Sequence, residues 1–252
     1  MKLGLVTYNM AKDWDVPTII ERCTATGFQG VELRTTHAHK VEVNLSAQER
    51  QEVRKRFADS PVELAGLGSA FEYHSMDADE VRRNIEGTKA YTQLAADVGA
   101  LGVKVRPNGF PEGASEQATL EQIGLSLREC GEFAKNLGVQ IRLEVHGRGT
   151  SHVPHIRTIM EVANHDNVFV CWNSNQGEAE NGSINNNFNL VKDWIQLVHI
   201  NELYRKQYPW RELFTLLKAS GYNGYCLAEI PGSSEAVRVM NYYRTLWEAL
   251  CE

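Results

Sequence analysis

The sequence predicts an α/β fold, a single (β/α)8 TIM barrel, and three observations carry that prediction. Short β-like runs alternate with segments of helical apolar spacing along the whole chain, eight of each in 252 residues, which is the arithmetic of eight β/α units. No linker, low-complexity tract or composition shift divides the chain, so residues 1–252 read as one domain. The alternative, a doubly wound open sheet, would want a Gly-rich phosphate turn after the first strand, and none is present there.

The first strand is expected near 3–8 and the first helix near 16–26, closed by Gly27-Phe28 ahead of a second strand at 30–34. Ser46 and Glu49 form an S-x-x-E capping box that opens a helix over 47–59. A third strand at 62–67 leads to a helix at 78–98, with Gly102 read as its left-handed cap and a fourth strand over 102–106. A helix at 116–136 ends ahead of Gly138, followed by a fifth strand at 139–145, a helix at 153–164 and a sixth strand at 167–172. A polar helix at 185–194 precedes the seventh strand at 195–200. The last unit is a helix at 209–219, the Gly221-Tyr222 junction, a strand at 224–230 and a helix at 235–250. Glycine belongs at these helix ends because it adopts the left-handed conformation without a Cβ penalty.

With 42% hydrophobic and 23% charged residues, the composition is that of an ordinary globular protein, neither disordered, fibrous nor membrane-embedded. Twenty-six Lys+Arg against 32 Asp+Glu leave a net charge of −6, which argues against a nucleic-acid binder needing a basic stripe. A small-molecule partner is expected, and a homo-oligomer remains open. Five scattered cysteines without a C-x-x-C pair read as reduced packing residues. The opening apolar run is of strand length and lacks a signal-peptide pattern, and no run reaches the ~18 apolar residues needed to span a bilayer. The expectation is therefore a cytoplasmic protein.

A parallel strand covered on both faces should be nearly all apolar, yet several of these alternate. Val31-Glu32-Leu33-Arg34, Val103-Lys104-Val105-Arg106, Ile141 to His146, Val198-His199-Ile200-Asn201 and Ala228-Glu229-Ile230 each have one apolar and one polar face. The apolar face must meet the helices, so the charged face has only the lumen, where charge is tolerated if paired, metal-bound or open to water. Glu32, Arg34, Lys104, Arg106 and Arg142 fit an internal ion-pair network as well as they fit function. Glu144, His199 and Glu229 fall near strand C-termini, where such barrels place their active sites. Two carboxylates and an imidazole converging there are the parts of a divalent-metal site.

Leu143-Glu144-Val145-His146, Val198-His199-Ile200-Asn201-Glu202 and Leu227-Ala228-Glu229, together with Gly27 to Leu33, resemble the xylose isomerase-like barrel superfamily. That group includes sugar-phosphate isomerase/epimerase-type proteins, ketose 3-epimerases and endonuclease IV. The resemblance implies a divalent cation, Mn2+ or Mg2+, held by Glu, Asp, His and Glu from strands five to eight, with the two Glu serving as acid and base. By position these are Glu144, His199 and Glu229, while Asn173 stands where the family has Asp. An Asn carbonyl still ligates a hard cation, but the shell loses one negative charge. Glu144 and Glu229 are thus the expected catalytic pair. His146 is expected to contact substrate, as are Lys104, Arg106, Glu202, His37 and Trp14, Glu202 alternatively orienting His199.

Loops after strands two and three, 35–40 and 71–74, belong to the mouth, and the Asn-rich segment 173–189 is a candidate lid hinged at Gly177 and Gly182. Aromatic residues near the top, namely Trp14, Phe71, Tyr73, Trp172, Tyr204 and Trp210, have polar edges that suit sugar faces, but core or helix packing is the better reading of each, most clearly of Trp172, which alternates outward. Three functions follow: a metal-dependent isomerase or epimerase of a ketose through an enediolate, a metal-dependent lyase or hydrolase of 3-keto-glycosides, and a non-catalytic carbohydrate-binding barrel that has lost its metal. An abasic-site endonuclease is disfavoured by the acidic balance.

Overall fold

A computed structural model describes all 252 residues. Eight parallel strands pair in chain order and close into a barrel: β1 (Lys2–Val6), β2 (Gly30–Arg34), β3 (Glu63–Glu72), β4 (Gly102–Arg106), β5 (Gln140–Glu144), β6 (Val168–Asn173), β7 (Ile195–Ile200) and β8 (Tyr225–Ala228). β8 pairs back onto β1 with Gly4 opposite Leu227. The outer ring is α1 (Val16–Thr26), α2 (Ala47–Ala58), α3 (Ala78–Val98), α4 (Glu116–Lys135), α5 (Val153–Ala163), α6 (Asn185–Val191), α7 (Trp210–Ala219) and α8 (Ala236–Cys251). No helix is long and apolar enough to cross a membrane.

Local chemistry sets the ends of these elements. Asp15 accepts from Thr18 N–H at the start of α1, and Ser46 and Glu49 complete the reciprocal capping box of α2, each satisfying N–H groups that the first turn leaves free. Gly27 closes α1 in the left-handed region at φ 74°. The cap of α3 is Gly99 at φ 81° rather than Gly102. Gly102 instead begins β4, and its missing Cβ leaves room for Arg142, whose Nε would otherwise lie 2.7 Å away. β3 runs on to Glu72, five residues beyond the expected end, and its far half carries the β4 register across a shift between Gly68 and Glu72. α6 stops at Val191 and passes into a 3-10 turn over Lys192–Trp194.

The alternation of the strands divides the interior in two. Outward residues such as Val31, Leu33, Val103, Val105, Ile141, Leu143, Val198 and Ile200 join the helices in one large apolar layer. A separate cluster of Val6, Ala65, Cys171, Leu197, Tyr225 and Leu227 fills the lumen. Toward the mouth lie the buried charged groups Glu32, Lys104, Glu144 and His199, while Arg142 is buried nearer the strands' N-terminal ends, against Gly102. Arg142 finds no carboxylate: it donates to Ala65 O and to Gln140 Oε1. All five cysteines are free, and four are buried.

Candidate active site

A cavity of about 260 Å³ opens at the C-terminal ends of the strands, lined by ten residues of which only Tyr8 is hydrophobic. The others are Arg34, Lys104, Arg106, Glu144, His146, Asn173, Asn175, Asn201 and Glu229. Each side chain is aimed by the parity of its strand. Glu144 and His146 leave the same face of the β5 end, Asn173 ends β6, His199 is the penultimate residue of β7, and Glu229 follows β8 with its N–H on Ile200 O.

At the base, His199 Nδ1 lies 3.5 Å from Glu144 Oε1 and 3.8 Å from Glu229 Oε2. The three groups can bring ligand atoms within 4.8 Å of one another. Asn173 Nδ2 donates to Glu144 Oε1 at 3.1 Å, while its Oδ1 is buried without a partner. Both nitrogens of His199 are likewise buried and unpartnered. Orphaned buried polar atoms of this kind are costly, and the acceptors among them, Asn173 Oδ1 and one His199 nitrogen, call for a positive charge, so Glu144, Asn173, His199 and Glu229 could together hold a divalent cation.

Beneath the imidazole lies Glu32, 1% exposed, with Oε1 3.4 Å from His199 Nε2 and no hydrogen bond to either oxygen. It fits there because Gly68 on the neighbouring strand has no side chain: a Cβ would sit 2.7 Å from Glu32 Oε1. A carboxylate on Nε2 turns Nδ1 toward Glu144 and Glu229, the arrangement by which an outer carboxylate fixes the tautomer of a ligating histidine. On the other side, Lys104 Nζ donates to Glu144 Oε2 at 2.7 Å, both side chains almost fully buried. The charge count is then simple. With His199 neutral, as a metal-ligating imidazole must be, Glu32, Glu144 and Glu229 carry three negative charges, Lys104 returns one, and the remaining two match one divalent cation.

The electrostatics follow from burial and from these neighbours. Burial opposes ionisation of Glu144, yet Lys104 and then His199 outweigh it and hold the carboxyl well below its usual range. Burial also opposes charge on His199, but the Cys171 sulfur and the Glu32 carboxylate raise it well above the ordinary imidazole value. His146 differs: burial lowers it, and its Nδ1 is buried without a partner. It is therefore a neutral imidazole beside the carboxylates, able to take up a proton.

The structure brings together seven of the ten residues singled out from sequence: Glu144, His146, Asn173, His199, Glu229, Lys104 and Arg106. The other three lie elsewhere. Trp14 packs on the apolar layer with the Arg22 guanidinium 4.2 Å from its ring. His37 sits with Nδ1 3.1 Å from Thr7 Oγ1, outside the cavity lining. Glu202 turns away from His199 to receive Arg205 at 2.7 Å and the Tyr204 hydroxyl, and it borders an apolar groove against α8. Three of the top-side aromatics pack inward, in keeping with the core reading: Phe71 packs on Tyr91, Tyr73 is buried on Thr88, and Trp172 faces Phe188 on the helix side. Tyr8 supplies the one such ring in the cavity wall.

The segment after β6 is anchored from within. Glu178 is fully buried, accepting from Asn175 Nδ2 and from the Tyr208 hydroxyl, which itself accepts from Trp172 Nε1. Asn175 Nδ2 also donates to Val145 O, so both its N–H groups have partners and its carbonyl is free to face the cavity. Sequence reasoning left Arg34 between an ion-pair network and function, and it did not single out Glu178, Asn175, Asn201 or Tyr8. Asn201 shares the polar face of β7 with His199, and Asn175 lies two residues past Asn173.

The family model for the xylose isomerase-like TIM barrel matches residues 20–246, taking in seven strands of the barrel and every polar residue lining the cavity. The chain belongs to the xylose isomerase-like TIM barrel family. No curated protein matches it. Among solved structures, this xylose isomerase-like barrel is similar to D-psicose 3-epimerase from Clostridium cellulolyticum H10, at 16% identity, full coverage of both chains and a TM-score of 0.84. A 3-keto-D-glucoside 4-epimerase from E. coli is 15% identical over 99% of each chain, with a TM-score of 0.81. The IolI protein with a bound zinc atom is 16% identical over 99% of this chain and 96% of its own, with a TM-score of 0.79. At these identities the likeness is one of fold.

Proposed function

We propose that this protein is a metal-dependent isomerase or epimerase acting on a ketose or related sugar through an enediolate, with Glu144 and Glu229 as the acid/base pair. The observation that carries the reading is the convergence of Glu144, His199 and Glu229 on one point beneath a cavity lined almost wholly by polar groups. Moving a proton at a carbon next to a carbonyl needs a base at the C–H and an electrophile at the oxygens. Glu144, Asn173, His199 and Glu229 are the residues that would hold Mn2+ or Mg2+, a cation that supplies the electrophile when bound. Three oxygen donors and one imidazole suit such hard cations. The solved structures similar in fold include epimerases of a ketose and of a keto-glucoside, which supports the substrate class.

The chain's own groups divide the work. Glu144 and Glu229 come from strands three apart around the ring and take or return the proton from their two sides. Lys104 keeps Glu144 ionised and so ready to accept. Asn175 and Asn201, whose amide N–H groups are held by Val145, Glu178 and Ser174, offer their side-chain carbonyls to sugar hydroxyls.

His146 favours a second reading, cleavage of a 3-keto-glycoside: a half-buried neutral imidazole with a free Nδ1 could relay a proton to a departing glycosidic oxygen, which simple epimerisation does not require. The test is incubation with Mn2+ in D2O of ketoses and of 3-keto-glucosides, read by NMR. Deuterium incorporation at the carbon beside the carbonyl is expected, falling by about 10²–10⁴-fold in Glu144→Gln and in Glu229→Gln. Release of free sugar selects cleavage over epimerisation. Undiminished exchange in both variants would overturn the acid/base assignment.

A further inference from the structure

The cavity wall is electrically divided around the ring. Metal-binding groups and carboxylates come from β5 to β8, whereas β2 and β4 contribute only cations: Arg34, Lys104 and Arg106. Two of these three are satisfied inside the protein. Lys104 is held by Glu144 at 2.7 Å, and Arg106 by Glu72 at 2.5 Å, with Asn108 donating to the other Glu72 oxygen. Arg34 has no carboxylate within 4.0 Å and its guanidinium donates no hydrogen bond. The nearest acid in sequence, Glu32, points down to His199 instead.

Arg34 is nevertheless held in place. Its N–H donates to Thr7 Oγ1 at 2.9 Å, its carbonyl lies 2.7 Å from His39 Nε2, and its guanidinium lies 5.0 Å from the centre of the Tyr8 ring, which lines the same cavity. Such stacking orders the planar fork while leaving its edge N–H groups free. A second donor without a partner, the buried Nε of Arg106, belongs to the same wall.

We propose that the substrate is a sugar acid whose carboxylate docks on Arg34 across the cavity from the Glu144–His199–Glu229 group. The proposal rests on the functional reading above and names its substrate class. A guanidinium edge matches a carboxylate through two parallel hydrogen bonds. The single negative charge of a carboxylate also equals the single unpaired positive charge of the wall. A phosphate dianion would bring one charge too many into a cavity that already holds Glu144 and Glu229.

Three ketoses that differ only at C6 make the test: D-fructose, D-fructuronate and D-fructose 6-phosphate, titrated calorimetrically into the full-length protein with Mn2+ and again with a chelator. D-Fructuronate is expected to bind at least ten-fold more tightly than D-fructose. Arg34→Met should abolish that preference by weakening D-fructuronate far more than D-fructose, and Arg34→Lys, which keeps the charge but not the fork, should retain part of it. Both variants should melt within a few degrees of the parent protein. Equal affinities for fructose and fructuronate, no binding of either, or a preference that survives Arg34→Met would each overturn the proposal. Tighter binding of the phosphate than of the carboxylate would overturn the substrate class. A fructuronate preference that depends on Arg34 but not on Mn2+ would support this docking group and count against the metal-dependent reading instead.

Discussion

Glu32 shows how much one buried side chain can decide. Its oxygens have no hydrogen-bond donor, it lies against His199 Nε2, and it occupies space vacated by a glycine. Glu32→Gln keeps the volume and removes the charge that fixes the imidazole, so Mn2+ affinity should fall about 10–100-fold, measured by competition titration. An unchanged affinity would mean that His199 is oriented by packing alone. Glu178 makes the opposite case, a buried carboxyl with no cation, which burial raises well above its usual range. A carboxyl raised in the folded state contributes stability below its unfolded value, about pH 4.3, and loses it as pH climbs through the folded value. Glu178→Gln, a neutral isostere, should therefore gain in melting temperature relative to the parent protein as pH rises from about 4 toward 8. Parallel curves would show that Glu178 is not held protonated.

At the scale of elements, the strands placed the site and the glycines made room for it. Gly30 faces the Tyr225 ring at the base of the lumen, and Gly68 faces Glu32 near the mouth. Alanine at either position overpacks the barrel and should cost about 1–3 kcal/mol in urea unfolding. Only Gly68→Ala should also weaken Mn2+ binding, because only there does the new methyl displace the carboxylate behind His199. Equal effects of both substitutions on the metal would separate Glu32 from the site.

These elements also mark what the sequence could convey. Period-two alternation in Ile141 to His146 and Val198 to Asn201 predicted both the strands and the faces that meet the lumen, since a side chain's side of a strand is fixed by parity. Gly99 was passed over for Gly102 because both lie near one helix end and only the register of α3 separates them. Trp14, His37 and Glu202 lie outside the cavity lining for a different reason. They lie in connections whose paths depend on Arg22, Thr7 and Arg205, and no periodicity reports which way a loop side chain turns. The lumen network was legible as a set of charges but not as a set of partners: Glu32 pairs with His199, five strands on in the chain, rather than with Arg34 two residues away.

For the molecule as a whole, closure of the barrel turns separate strand ends into one charge balance. Residues as much as 197 apart in sequence, from Glu32 to Glu229, share one lumen with Glu144 and His199, and with His199 as a neutral ligand Lys104 leaves the set two charges short of neutrality. Asn173 does not leave a gap in that balance, because an Asp there would add a third uncompensated charge beside Lys104–Glu144. We propose that a divalent cation at the mouth fills this deficit. Crystals grown with Mn2+ and measured for its anomalous signal decide the matter: one strong peak bounded by Glu144, Asn173, His199 and Glu229 is expected, and a mouth without a peak, or a peak that excludes His199 and Glu144, would rule the cation site out.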